Sequence, residues 1–329
     1  MKRFFNYLFI FFYTVAIGEI GLRTISNFIN VSDIEKLKYA KELISSSNNP
    51  DLSSEHIPNS QSKLMGVDII LNSLGHRNKE IAVQKPKNEY RIYVTGSSLI
   101  MGWGVEQENL FSSILEKRLN LNKNIIKKNK SVIVINSGIM NTNTQHHFQQ
   151  TKDQFNLTKP DTIILGYFID DAKIIQTKKN NLILKHSYFL SFIYQKIKSY
   201  FFGGTLADYY VELHNEDNLG WLSAKMSIEN LRDFCRKNNV NFAILFLPDF
   251  QDFSENNILN NLYSEINNRF SEMNIPVINT YDSLSREFKL NPEESWISRD
   301  DSHPNSKAHE IIANDLYNFF IEQKKYLHL

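Results

Sequence analysis

A serine and a histidine that lie far apart in this chain have the neighbours that nucleophilic catalysis requires. Ser98 follows Gly96 at the end of an apolar run, and His303 stands three positions after Asp300. A serine hydroxyl is a poor nucleophile at neutral pH, so it needs a base within hydrogen-bond distance and a third group that fixes the tautomer of that base. We predict Ser98 as nucleophile, His303 as base and Asp300 as the group that orients His303, with the adjacent Asp301 as the alternative orienting residue.

Four sequence blocks resemble those of a known family. They are, in family order, residues 93–105, with the sequence YVTGSSLIMGWGV, 136–138 (NSG), 166–171 (GYFIDD) and 300–313, which begins DDSHPN. In these blocks the chain is similar to the SGNH (GDSL-like) hydrolases, whose first block is Gly-Asp-Ser and whose last is Asp-x-x-His. The resemblance implies a three-layer α/β/α fold and an ester hydrolase activity that needs no cofactor.

The resemblance also implies donors for the negative charge that forms on a carbonyl oxygen during ester cleavage. It assigns this role to the backbone N–H groups of Ser98 and Gly138. Ser97 stands where the family has aspartate, and Asp170 stands where the family has an asparagine that donates to this oxygen. An ionised carboxylate can only accept hydrogen bonds. Three readings stay open: Asp170 is protonated in an apolar pocket, the neighbouring donors suffice, or catalysis is impaired.

From residue 89 onward, short apolar segments alternate with segments of helical periodicity. This alternation predicts a mostly parallel five-stranded sheet that is covered by helices on both faces. Ligands bind at the carboxyl ends of such strands, which is where Ser98, Gly138 and Asp170 fall. The predicted strands are 91–95, 132–136, 162–167, 241–247 and 276–280, and the predicted helices are 110–119, 145–155, 225–238, 258–272 and 306–322.

The N-terminus combines a basic start with an apolar run. Lys2 and Arg3 precede residues 4–18, which contain no charged side chain. This pattern is typical of a signal or signal-anchor segment over residues 1–25, with its positive end in the cytoplasm and the remaining chain on the periplasmic or cell-surface side. No small-x-small cleavage site follows, so an uncleaved anchor is favoured over a cleaved peptide or a buried core helix.

Residues 26–88 are interpreted as a connector. A helix is predicted near 34–43, and the density of Ser, Asn and Pro predicts a loop or linker over 45–62. Residues 72–77 (NSLGHR) resemble a segment that precedes the catalytic domain in membrane-anchored or secreted SGNH proteins. For Arg77 an exposed ion pair is favoured over binding of an anionic substrate group.

A second apolar segment lies in a predicted insertion at about 172–221. Residues 187–202 are too apolar for a free loop. The segment is interpreted either as a lid, whose aromatic side chains stack on a sugar or touch a membrane surface, or as an amphipathic helix packed on the side of the domain.

Composition excludes several other classes of function. The net charge of +1 over 329 residues gives no basic field for nucleic acid, and a single cysteine excludes an internal disulfide. His146, His147 and His309 lack zinc-ligand spacing. The sequence predicts a membrane-anchored, extracytoplasmic ester hydrolase of the SGNH type, acting on an ester-bearing small molecule or on O-acetyl groups of a cell-envelope glycan. A glycan O-acetyltransferase of the same fold and a non-catalytic glycan-binding or assembly protein are the alternatives.

Overall fold

A five-stranded parallel sheet forms the centre of the computed structural model, which describes residues 2–26, 28–47, 49–123, 130–175, 186–200 and 205–323. The strands of this sheet are β5 (Glu89–Gly96), β6 (Ser131–Gly138), β7 (Thr162–Phe168), β8 (Asn241–Leu247) and β9 (Val277–Asn279). Their order in space is β6-β5-β7-β8-β9, and each neighbouring pair is parallel. The predicted parallel sheet is confirmed.

Two apolar layers, one on each face, explain why these strands are nearly continuous hydrophobic runs. One layer is built with α4 (Phe111–Leu121), α10 (Tyr281–Phe288) and α11 (Ser306–Glu322). The other layer is built with α5 (Thr144–Thr158), α7 (Leu206–Leu213), α8 (Leu219–Lys237) and α9 (Leu259–Glu272). The fold is therefore a three-layer α/β/α arrangement, as predicted.

The segment that precedes the sheet is packed, which corrects its interpretation as a connector. It contains α2 (Ser32–Glu42) and two small antiparallel ribbons, formed by β1 (Ile44–Ser45) with β2 (Glu55–His56) and by β3 (Gln61–Leu64) with β4 (Val67–Ile70). Apolar side chains of this segment form a third cluster with Met101 and Trp103. Burial of these side chains ties the segment to the loop that follows β5, although its sequence is rich in turn-forming residues.

Two short elements near the carboxyl edge of the sheet carry the predicted nucleophile and base. The helix α3 (Ser98–Met101) follows β5 directly. The strands β10 (Trp296–Ser298) and β11 (Asp301–Pro304) form an antiparallel ribbon just before α11.

The N-terminal helix α1 (Lys2–Ile25) is the single helix of the described residues that is long and apolar enough to cross a membrane. None of its apolar window is buried in the protein, and a signal sequence has the same properties. Its last turns contact α6 (Tyr188–Tyr200), because Glu19 accepts a hydrogen bond from the Ser187 hydroxyl at 2.8 Å and one from the Phe189 N–H at 3.0 Å. Within the apolar segment 187–202, residues 188–200 are helical. Residues 176–185 and 201–204 of the predicted insertion lie outside the described residues.

Candidate active site

Ser98 begins the short helix that follows the central strand β5. The turn into this helix requires Gly96, because a Cβ there would lie 2.3 Å from Cγ1 of Ile100 and 2.9 Å from the carbonyl oxygen of Gly166. As the first residue of α3, Ser98 presents a backbone N–H that has no acceptor within its helix. The residue is 9 % exposed, at the carboxyl edge of the sheet.

Ser98, His303 and Asp301 form a continuous line of hydrogen bonds. The Oγ of Ser98 lies 2.7 Å from Nε2 of His303, and Nδ1 of His303 is bonded to Oδ1 of Asp301. When Nδ1 donates its proton to the carboxylate, Nε2 carries the lone pair that accepts the serine proton. The arrangement has the geometry of a hydrolytic triad.

Asp300 does not orient His303, and this part of the prediction is wrong. Its Oδ1 accepts a hydrogen bond from the Ser298 hydroxyl at 2.6 Å, on the exposed side of the ribbon. The physical reason is strand geometry: side chains two residues apart lie on the same face of a strand, and β11 begins at Asp301. Asp301 and His303 therefore share a face, whereas Asp300 belongs to the preceding turn. The alternative orienting residue is the one that the structure selects.

The Asp301 carboxylate is buried and receives several donors. Its Oδ2 accepts hydrogen bonds from the Ser32 hydroxyl at 2.6 Å and from Nε1 of Trp103 at 3.2 Å, and Nζ of Lys36 lies 3.4 Å away. Burial raises the pKa of Asp301, but the hydrogen bond to His303, the nearby Lys36 and the Ser32 hydroxyl outweigh it and hold the pKa well below its usual range. Asp301 is therefore ionised at neutral pH.

The donors to Asp301 were not predicted from the sequence. Ser32 is 269 positions from Asp301 along the chain, and no motif links the two residues. The apolar environment of Trp103 within the first block was the available signal that this loop is buried. No sequence pattern indicated that Ser32, in the segment before the sheet, would contact Asp301.

Gly138, the predicted oxyanion donor, lies where β6 packs against the nucleophile helix. Its N–H donates to Oδ1 of Asn136 at 3.1 Å, so this amide is already occupied. A Cβ at Gly138 would lie 2.2 Å from the backbone nitrogen of Met101 and 2.8 Å from the carbonyl carbon of Ile100. Gly138 thus allows α3, which carries Ser98, to pack against the end of β6.

Asp170 lies in a short 3-10 helix, Ile169–Ala172, at the carboxyl end of β7. Its Oδ2 forms an ion pair with Lys173, and its Oδ1 accepts a hydrogen bond from the Tyr209 hydroxyl at 3.3 Å. The structure thus brings a carboxylate and a neighbouring ammonium group to the sheet edge where the resemblance implies an amide donor. Lys173 compensates the charge of Asp170, and this pair was not predicted from the sequence.

Beside Asp170, the side chain of Asp171 is buried. Its Oδ2 accepts a hydrogen bond from the Phe168 N–H at 3.0 Å. Burial raises the pKa of Asp171 to about 8, against the lowering effects of this hydrogen bond and of Lys173. The buried Ser97 hydroxyl is near this carboxyl but makes no hydrogen bond of ordinary length. Ser97 thus lies next to a carboxyl group that is mostly protonated at neutral pH.

Arg77 is fully buried, which contradicts both the exposed ion pair and the binding of a substrate anion. Its Nη1 donates to the carbonyl oxygen of Gly102 at 2.6 Å, and its Nη2 donates to that of Val105 at 2.6 Å. Five donors in a planar fork suit a site of several converging carbonyl groups. Arg77 therefore fixes the loop that follows the nucleophile helix.

The remaining histidines have packing roles. Nδ1 of His309 accepts a hydrogen bond from the Phe111 N–H at 3.1 Å, and its ring stacks on the Phe111 ring. Nε2 of His146 bonds to the Ser54 carbonyl oxygen, and Nε2 of His147 bonds to the Thr142 hydroxyl. Within the described ranges, His, Cys, Asp and Glu side chains form no group suited to hold a metal ion.

No family model and no curated protein matches the sequence. Similar solved structures include a member of the lipolytic G-D-S-L family from Veillonella parvula DSM 2008, with 13% identity, a TM-score of 0.41, and coverage of 70% of this chain and 98% of that chain. The psychrotrophic esterase EstA from Pseudoalteromonas sp. has 12% identity, a TM-score of 0.43, and coverage of 71% and 98%.

A third similar structure is a two-domain esterase (CEX) active on acetylated mannans, with 15% identity and a TM-score of 0.45. The match covers 72% of this chain and 50% of that chain. The fold assignment is carried by the sheet order and the two helical layers described above. Fold and site together define a three-layer α/β/α protein with serine, histidine and aspartate in triad geometry at the carboxyl edge of its sheet.

Proposed function

We propose that the protein is a serine ester hydrolase. In this proposal the Ser98 hydroxyl attacks the ester carbonyl, His303 takes the proton of Ser98 and returns it to the leaving alcohol, and Asp301 orients His303. The acyl-serine that forms is then cleaved by water with His303 again as base. The observation that supports the proposal best is the line of hydrogen bonds from Ser98 Oγ through His303 to a buried, ionised Asp301.

Covalent labelling tests this proposal directly. A fluorophosphonate probe reacts with serines that are activated by a base, so we expect labelling of the full chain at Ser98. Ser98→Ala should abolish both the labelling and the hydrolysis of a chromogenic acetyl ester. Ser97→Ala, which changes the adjacent serine, is the matched control and should leave the labelling in place. Absence of a labelled Ser98 in folded wild-type protein would refute the hydrolase proposal.

The proposed substrate is an O-acetyl group of a cell-envelope glycan. This finer proposal is supported by the resemblance of residues 72–77 to a segment that precedes the catalytic domain in membrane-anchored or secreted SGNH proteins. Acetate release from acetylated polysaccharides, compared with release of longer acids from matched esters, tests it. Transfer of acetyl groups to an added oligosaccharide at rates above release to water would instead favour the O-acetyltransferase alternative.

We further propose that α1 is retained as a membrane anchor with the catalytic domain on the outer side. The last turns of α1 are integrated into the fold, because Glu19 accepts hydrogen bonds from the first turn of α6 and Arg23 lies over the Tyr188 ring, 4.4 Å from its centroid. Cleavage after α1 would remove these contacts. Intact mass in the membrane fraction, together with protease accessibility of the domain from the outside, tests both parts of the proposal.

A further inference from the structure

The acid of the triad is held by an element that precedes the α/β domain. Ser32, the first residue of α2, donates its hydroxyl proton to Oδ2 of Asp301 at 2.6 Å. Ser32 is 6 % exposed and the Asp301 side chain is 2 % exposed, so the hydrogen bond is sheltered from water. One turn further along the same helix, Lys36 places its ammonium group 3.4 Å from the same oxygen.

The two oxygens of this carboxylate have separate partners. Oδ1 faces His303, while Oδ2 receives the hydroxyl of Ser32 and the indole N–H of Trp103. Hydrogen bonds to an ionised acceptor are about twice as strong as neutral ones, and two donors on one oxygen restrict rotation of the carboxylate about its Cβ–Cγ bond. The orientation of Oδ1 toward His303 is therefore set from the far side of the carboxylate.

We propose that Ser32 is a positioning residue of the triad, which acts through Asp301 by holding the Oδ1 atom toward His303. Helix α2 is then a working part of the active site. The proposal rests on the proposed hydrolase function and deepens it, because it assigns to the segment between the membrane helix and the sheet a part in the same reaction.

The charged and titratable groups around this pair give the expected direction of the pH effect. Lys36 lies beside Asp301 on α2, and His309 on α11 interacts electrostatically with His303. Removal of the Ser32 donor leaves the negative charge of Asp301 less stabilised by hydrogen bonds, and this favours the imidazolium form of His303. The acid limb of the pH–rate profile should then move to higher pH, since the base is protonated over a wider range.

Replacement of Ser32 in the full chain, in bilayer nanodiscs, tests the proposal. In Ser32→Ala we expect kcat for a chromogenic acetyl ester to fall about ten-fold, with KM changed less than about two-fold, because the contact acts on the base and not on the substrate. The acid limb of the profile should shift upward. Ser32→Thr keeps the hydroxyl and should recover most of kcat. A loss of kcat that threonine does not recover, accompanied by a lower melting temperature, would mean a purely structural role and overturn the proposal.

Two lysines on α2 provide a matched electrostatic pair. Lys36→Met removes the ammonium group near Asp301 and should move the acid limb upward at low salt, with a smaller shift at high salt because of screening. Lys41 is exposed in the last turn of the same helix, and Lys41→Met should leave the profile unchanged. Equal shifts of the acid limb in Lys36→Met and Lys41→Met would contradict the proposal that groups on α2 act on the triad through Asp301.

The outcome also separates this proposal from the hydrolase function. An active wild type with an unchanged kcat and acid limb in Ser32→Ala overturns the role of Ser32 and leaves the hydrolase intact. If the wild-type protein neither hydrolyses esters nor is labelled at Ser98, the hydrolase proposal is wrong. The hydrogen bond from Ser32 to Asp301 can then still be tested through the Nδ1 proton resonance of His303, assigned with His303→Gln. A changed chemical shift in Ser32→Ala supports the positioning role, and an identical shift overturns it.

Discussion

The two sides of the Ser98 hydroxyl differ in how completely their hydrogen-bonding groups match those required for ester cleavage. On the side of the base, each donor meets an acceptor, from Ser98 through His303 and Asp301 to Ser32. On the side where a carbonyl oxygen becomes negative, the predicted Gly138 donor is occupied and the predicted amide position holds Asp170. The groups that activate the nucleophile are thus all in place, whereas of the donors implied by the resemblance only the Ser98 N–H is open to a substrate oxygen. The two functions should respond independently to mutation.

The largest expected effect is on the base side. Asp301→Asn places an amide against Nδ1 of His303 and favours the wrong tautomer, so we expect kcat to fall about 10⁴-fold. Asp300→Asn is the matched control, one residue away on an exposed side chain, and should change kcat less than about two-fold. Steady-state kinetics of both variants test the assignment, and the reverse ranking would restore Asp300 as the orienting residue.

A smaller, opposite effect is expected on the oxyanion side. Asp170→Asn removes a negative charge and adds an amide donor, while Lys173 remains, so kcat should rise about ten-fold at neutral pH. Asp170→Ala removes the charge without the donor and should give a smaller gain. If asparagine lowers kcat, the carboxylate has its own task, such as binding a substrate hydroxyl, and the contrast between the two sides of Ser98 disappears.

Substitution of Gly138 tests its role in the packing of the nucleophile helix. Alanine keeps the backbone N–H but places a Cβ against Met101, so Gly138→Ala should lower the free energy of unfolding by about 1–3 kcal/mol and reduce kcat through displacement of α3. Chemical unfolding together with kinetics measures both quantities. Unchanged stability would instead show that the packing of α3 against β6 does not require glycine at this position.

The strands and the pair Ser98–His303 could be predicted from the sequence, whereas the acid that orients His303 and the contacts of Arg77 could not. Continuous apolar runs such as 162–167 predicted buried parallel strands, and the residues of the first and last blocks predicted Ser98 and His303. The choice between Asp300 and Asp301 depended on where β11 begins, which a turn-rich hexapeptide does not fix. The partners of Arg77 are backbone carbonyl groups, which have no signature in the sequence.

The smallest expected effect concerns a buried imidazole behind the nucleophile helix. Burial lowers the pKa of His309 to about 3, so the unfolded chain, with an ordinary histidine pKa near 6.5, takes up the proton first. Its contribution to stability is complete above pH 6.5 and is lost as the pH falls toward 3, by at most about 1.4 kcal/mol per pH unit. Urea unfolding at pH 7.5 and 6.0 should show a larger decrease for wild type than for His309→Gln. Equal decreases would exclude a neutral buried imidazole at this position.

The short linker between α1 and α2 limits the distance between the end of α1 and the catalytic residues. Residues 26–31 lie between the two helices, and a fully extended chain of that length spans at most about 25 Å. Because Ser32 is bonded to Asp301, the acid lies within about 30 Å of the end of α1, a distance comparable to the hydrocarbon thickness of one bilayer. With α1 in the membrane as proposed, the active site stays within a thin layer above the lipid. The enzyme then encounters its substrates by lateral diffusion in the plane of the membrane, in two dimensions.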